Sequence, residues 1–175
     1  MNDSRSIEKL WNDFLNSLPE THHDRFCPLP EAWSFGNDKR LADELANLVI
    51  IGRKTATCSR YRGGNILDEG GLSIIIDGDR IPQCVVETYE VTIRRYRDVD
   101  AGFAADEGEG DQSLEYWRKA HWEFFTREGE MEGYAVSDNM PLACERFRVV
   151  FVNPNIRSAV QDVDDQAAVA VGSKP

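Results

Sequence analysis

The sequence has no CxxC pair, no HxxxH pair and no long apolar run, and each absence removes a class of protein. Cys27, Cys58, Cys84 and Cys144 lie far apart, which fits reduced cytosolic thiols better than a disulfide frame or a structural zinc site. His22, His23 and His121 make no ligand pair, so neither a metal nor an organic cofactor is expected. Nothing approaches the run of about 18 apolar residues that a membrane span needs. The opening MNDSRSIEKLWNDFL is charged and periodic and lacks the apolar centre of a secretory signal. A cytoplasmic location is therefore expected. A surplus of positive charge is also missing. The net charge of −11 argues against broad electrostatic binding to nucleic acid, because phosphate contacts need a basic face.

What is present suits one globular domain: 175 residues, 41% of them hydrophobic, are enough for an ordinary core. The charge is unevenly spread. Residues 101–150 carry five basic and eleven acidic side chains, whereas residues 50–67 hold Arg53, Lys54, Arg60 and Arg62 and no acid. A small cationic spot on an acidic protein fits a pocket for one small, mononucleotide-sized ligand better than a long nucleic-acid track.

The hydrophobic periodicity predicts the elements. Ile7, Leu10, Trp11, Phe14, Leu15 and Leu18 share one helical face, with Pro19 just past its end. AWSFG reads as a short extended piece. Asn37 or Asp38 caps a second helix, with Leu41, Ala42, Leu45, Leu48 and Val49 as its buried stripe and Gly52 as its terminator. GLSIIID is a buried strand, Asp77-Gly78-Asp79 a hairpin-type turn, and QCVVETYEVTIRRY a strand long enough to bend around a barrel. A short helix or turn is expected from Asp98 to Glu107. Ser113 opens a third substantial helix, striped by Leu114, Trp117, His121, Phe124 and Phe125 and stopped by Gly129. ERFRVVFV is the closing strand. This order predicts an α+β domain on a small curved sheet or barrel of mostly antiparallel strands. The boundaries expected are a helix and connection over residues 1–32, a domain over 33–152 and a mobile tail over 153–175.

Several places carry candidate chemistry. Lys54 and Thr57 lie just past the helix that Gly52 ends. A threonine hydroxyl needs a base within hydrogen-bond reach, and a lysine serves if burial or a neighbouring cation, here Arg53 or Arg60, lowers its pKa. On spacing alone the plainer reading leads: a solvated helix-end lysine and an ordinary strand threonine. The two share a pocket only if the chain turns between them. ADEGEGDQS places Asp106, Glu107, Glu109 and Asp111 among glycines. One buried carboxylate there suits a general acid, but by composition alone an exposed loop capping the next helix through Asp111 or Ser113 is favoured. His121, on an apolar stripe, reads as a hydrogen-bonded core residue. WSFG offers Trp33 and Phe35 as a stacking wall for a base, or as core and turn.

Taken together, the helix ending GRKTAT at 52–57, the hairpin GGLSIIIDGDRIPQCVVETYEV at 70–91 and the segment EGEGDQSLEYWRKAHWEFF at 107–125 leading to CERFRVVF resemble an ASCH domain, of the PUA-like group of small β-barrels. The resemblance covers roughly Trp33 to Val152 and is to the longer branch of the family. It implies one of two roles. A small bacterial member, similar across GRKTxT, is an amidohydrolase that removes the acetyl group from N4-acetylcytidine. Its lysine matches Lys54, its threonine matches Thr57, and its Glu-x-Glu pair points to Glu109, with Glu107 as the alternative because the loop here is longer. That enzyme's arginine two residues after the threonine is replaced here by Ser59, with Arg60 next along. The resemblance thus implies deacylation of an N4-acylated cytosine or cytidine without a cofactor. Trp33, Phe35, Arg53 and Arg60 are then candidates for holding the modified nucleoside. The alternative it implies is RNA binding, with or without ribonuclease activity.

Overall fold

The computed structural model describes residues 3–64 and 69–156. Helix α1 (Asp3–Ser17) leads to the two-residue strand β1 (Ala32–Trp33) and helix α2 (Lys39–Ile50). Strands β2 (Ala56–Arg60), β3 (Leu72–Ile76) and β4 (Pro82–Arg95) follow. Helices α3 (Ala101–Glu107) and α4 (Leu114–Glu132) come next, and the chain closes with strand β5 (Pro141–Val152). The strands form one sheet in the order β1-β3-β4-β5-β2, antiparallel except for the parallel β1–β3 pair.

The α+β class is as expected, but the closed barrel is not formed. Strands β1 and β2 are the two edges and do not pair with each other, so the sheet stays open. Its curvature comes from irregular register: the β4–β5 ladder shifts between Val85 and Val86 and again between Thr88 and Glu90. An extra residue on one strand bends it and increases its twist.

Strand alternation decides which helix covers which face. Ile74, Ile76 and Val85 point to the side where Leu10, Trp11 and Phe14 of α1 pack. Their neighbours Ile75, Cys84 and Val86 point to the other side, against Leu45, Ala46 and Val49 of α2. A third cluster joins Phe103 of α3 and Trp117 and Phe125 of α4 to Ala56, Leu142 and Cys144 on β2 and β5. Among the described residues, no helix is long and apolar enough to cross a membrane. The tail expectation lies, from residue 157 onward, outside the described residues.

Local signals mostly act as expected. The Asp38 carboxylate accepts from the Leu41 amide at 2.9 Å and caps α2. The Ser113 hydroxyl accepts from the Tyr116 amide at 3.0 Å and caps α4. Gly129 is a correction: it does not end α4, which runs on to Glu132 and terminates at Gly133 in the left-handed conformation. Gly129 is instead a buried helical position against which the chain folds back, where an added Cβ would lie 2.4 Å from the Tyr134 carbonyl oxygen. Helix propensity alone gives alanine an advantage of about 1 kcal/mol in a helix interior. Gly129→Ala is expected to reverse that sign and destabilise by about 1–3 kcal/mol, because the backbone of Tyr134 must move. Thermal unfolding of the two proteins checks it.

Candidate active site

The turn on which the Lys54–Thr57 pairing depends is made by backbone hydrogen bonds. After α2, the amides of Arg53 and Lys54 both donate to the Leu48 carbonyl, at 2.9 and 3.0 Å, which curls the chain back over the helix end. Thr55 then locks onto α3: its amide donates to the Asp106 carbonyl at 2.8 Å, and its own carbonyl accepts from Phe147 of β5 at 2.9 Å. Strand β2 starts at the next residue. Lys54 and Thr57 consequently line one cavity, of about 320 Å³.

The segments carrying Lys54 and the acidic residues touch backbone to backbone. Gly108 ends α3 at φ +71°, and a Cβ there would lie 2.3 Å from the Arg53 carbonyl oxygen. This close approach needs glycine, and it brings the carboxylates on either side of it to the lysine. The Lys54 ammonium donates to Glu107 Oε2 at 2.8 Å and to Glu109 Oε1 at 2.7 Å. Lys54 and Glu107 are each only 1% exposed, whereas the Glu109 side chain is 17% exposed and forms part of the cavity wall. Both glutamates thus reach the lysine, Glu107 from full burial and Glu109 from the cavity wall.

Glu107 is held from several sides. Its Oε1 accepts from Trp117 Nε1 at 3.0 Å and lies 3.4 Å from His121 Nε2. His121 Nδ1 is 3.0 Å from the Trp117 carbonyl oxygen, and its ring stacks on the Trp117 ring with centroids 4.3 Å apart. Among the described residues no buried side-chain nitrogen or oxygen lacks a partner, so this network is fully satisfied.

Charge follows geometry. Burial alone would lower the pKa of Lys54, but the charges of Glu107 and Glu109 outweigh it and hold the ammonium above the ordinary lysine value. Burial alone would raise the Glu107 carboxyl, yet Lys54 and then His121 keep it well below the usual carboxylate range. The Cys58 thiol is pushed well above its ordinary value by burial and by Glu107, so it stays neutral and is a poor nucleophile. This corrects the expectation that neighbouring cations depress Lys54. The Arg53 guanidinium donates to the Gly110 carbonyl at 2.6 Å, and the charged groups that contact the lysine are the Glu107 and Glu109 carboxylates.

Two proposed ligand contacts also fall elsewhere. Arg60 sits at the far end of β2, its guanidinium 3.8 Å from the centroid of the Tyr134 ring and 3.9 Å from a Glu132 oxygen, and it does not line the cavity. Trp33 packs edge-on against Phe35, with centroids 4.7 Å apart, and supports the wall from behind. Phe35 does line the cavity, and the Lys54 ammonium lies 5.1 Å from its ring centroid. Tyr116 and Phe124 add aromatic surface, and Arg40 and Arg127 add positive charge.

Sequence reasoning passed over the groups that support Glu107. His121 is a hydrogen-bonded residue of the α4 stripe, as read, but it also lines the cavity beside Glu107. The available signal was the four-residue spacing of Trp117 and His121, which stacks two nitrogen-bearing rings on one helix face after an acidic loop. Cys58, Glu107 and His121 offer donor atoms within 4.8 Å of one another. Both Glu107 oxygens are already taken, by Lys54 and Trp117, and an ammonium stands 2.8 Å away, so the three do not form a cation site.

The fold and site define a class: an α+β domain, open-sheeted and helix-flanked, whose cavity is small-molecule-sized and floored by a buried lysine between two carboxylates. The chain belongs to the ASCH domain family, whose model matches residues 31–151. It is similar to the crystal structure of an ASCH domain from Lactobacillus crispatus, at 31% identity and a TM-score of 0.78, over 84% of this chain and 95% of that one. A protein of Enterococcus faecalis is similar at 29% identity and a TM-score of 0.78, over 89% of this chain and 94% of that one. No curated protein matches.

Proposed function

We propose that the protein is an amidohydrolase that removes the acyl group from N4-acylated cytosine or cytidine, with Thr57 as nucleophile. The observation that supports this reading best is the Lys54 ammonium, buried and shared between Glu107 and Glu109 in the wall of the cavity that Thr57 also lines. The cavity volume, about 320 Å³, lies at the lower end of the range for small-molecule sites, and Phe35, Tyr116 and Phe124 offer faces on which a pyrimidine stacks.

The protons balance through the two partners of the lysine. Once substrate excludes water, Lys54 passes a proton across the 2.7 Å contact to Glu109, because a neutral pair costs less than an ion pair in a dry site. The neutral amine takes the Thr57 hydroxyl proton as Oγ1 bonds to the acyl carbon. The C–N bond then breaks as Glu109 gives its proton to the departing exocyclic nitrogen, leaving an acyl-threonine ester, a Lys54 ammonium and an ionised Glu109. Water attacks the ester while Glu109 takes its proton, Lys54 returns a proton to the Thr57 oxygen, and Glu109 reprotonates Lys54. The acid product ionises in solvent. Glu107 stays ionised throughout and fixes the lysine.

The test is incubation with N4-acetylcytidine, followed by the ultraviolet change to cytidine. Turnover that falls by about a thousand-fold in Glu109→Gln supports the scheme. Absence of turnover with N4-acetylcytidine and its base and nucleotide forms would falsify it, and salt-dependent retention of RNA oligomers would then favour RNA recognition instead.

A further inference from the structure

His121 carries an inference that its hydrogen bonds decide. A carbonyl oxygen only accepts, so the 3.0 Å contact to the Trp117 carbonyl requires a hydrogen on Nδ1. Nε2 then faces Glu107 Oε1 at 3.4 Å. That carboxylate is already an acceptor at both oxygens, from Trp117 Nε1 and the Lys54 ammonium. A neutral ring would turn a lone pair toward a carboxylate acceptor that is itself only 1% exposed. A second ring hydrogen removes the conflict. The charged groups nearest the ring agree: Glu107 from α3 and Glu109 from the loop after it oppose Lys54, the Cys58 thiol on β2 is neutral, and Arg40 of α2 and Glu123 and Arg127 of α4 line the same cavity. Two carboxylates with one lysine leave the cluster one negative charge in excess, and a protonated His121 neutralises it.

We propose that His121 is a buried imidazolium and a positioning residue for the deacylation: by neutralising Glu107 it keeps that carboxylate as the fixed anchor of Lys54 and leaves Glu109 to exchange the proton. This rests on the deacylase reading. Without the imidazolium, the whole charge of Glu107 bears on Lys54, and the ammonium gives up its proton less readily.

Protonation is read directly by nitrogen-15 NMR of the histidine rings in the double variant His22→Gln, His23→Gln, where His121 is the sole histidine. At pH 7.5 an ordinary histidine is about nine-tenths neutral. The expected spectrum shows both His121 nitrogens protonated, and a neutral-tautomer pattern overturns the imidazolium whatever the activity. The positioning role is read from kinetics. Wild-type kcat is expected to fall on the alkaline side with the midpoint of the His121 NMR titration, and His121→Gln to lose that limb, with kcat down about ten-fold and KM within two-fold. An unchanged limb in His121→Gln overturns the positioning role. Absence of turnover in the wild type overturns it together with the deacylase reading, while the NMR result still judges the imidazolium by itself.

Discussion

Lys54→Ala is expected to lower deacylation by at least about a thousand-fold and to destabilise the fold by about 3–5 kcal/mol. The two effects have one cause. Lys54 is 1% exposed and is the ammonium partner of both Glu107 and Glu109, so its removal takes the nearer of two counter-charges from a fully buried carboxylate as well as deleting the base. The stability loss has a pH signature. In the wild type the Glu107 carboxyl is depressed in the folded state, so its stabilising contribution is present above the unfolded value of about 4.3 and is lost as pH falls through the folded value. In the variant, burial is no longer offset by the lysine, and the Glu107 carboxyl rises. The deficit of the variant is therefore largest at neutral pH and shrinks toward pH 5, where Glu107 can protonate. Denaturant unfolding at the two pH values checks this, and a variant that keeps wild-type turnover would remove Lys54 from the mechanism.

Thr57→Ala separates chemistry from folding. Thr57 is half-buried on the edge strand β2, and its replacement is expected to change stability by less than about 1 kcal/mol. Turnover is nevertheless expected to fall by about ten-thousand-fold, because no acyl ester can form and the neighbouring Cys58 thiol is held neutral. Thr57→Ser keeps a hydroxyl and should retain measurable activity. Mass spectrometry of the wild type quenched during turnover should show one acyl adduct, absent from Thr57→Ala. An alanine variant with more than about a tenth of wild-type kcat would show that water attacks the acyl carbon directly and that Thr57 only lines the pocket.

Particular residues show how far the sequence could be read. Asp38 and Ser113 announce their helices because capping is local: a short oxygen-bearing side chain meets an amide three residues on. Gly129 misled for a complementary reason. A glycine inside a helix looks like a stop, but here it accommodates the Tyr134 backbone, and nothing within four residues reveals that approach. The barrel expectation failed because closure is a property of edges: the residues of β1 and β2 read as strands, and which strands they meet depends on the whole sheet. Arg60 was a ligand candidate because it stands one residue past the position of the similar enzyme's arginine, while Glu132 at the end of α4 and Tyr134 just beyond it claim its guanidinium.

Pattern and composition by themselves determined the helices, the long strands and the acidic character, and the resemblance to ASCH domains added the pairing of GRKTAT with a distant acidic loop. These follow from local periodicity and from residue types that need no partner to be recognised. Only the tertiary structure decided that Lys54 is buried rather than solvated, that Glu107 anchors it while Glu109 faces the cavity, and that His121 belongs to the same network. The physical reason is that the charge state of a buried group depends on what desolvates it and what stands within hydrogen-bond reach. Here those groups arrive from positions more than fifty residues away, across a contact that one glycine, Gly108, allows.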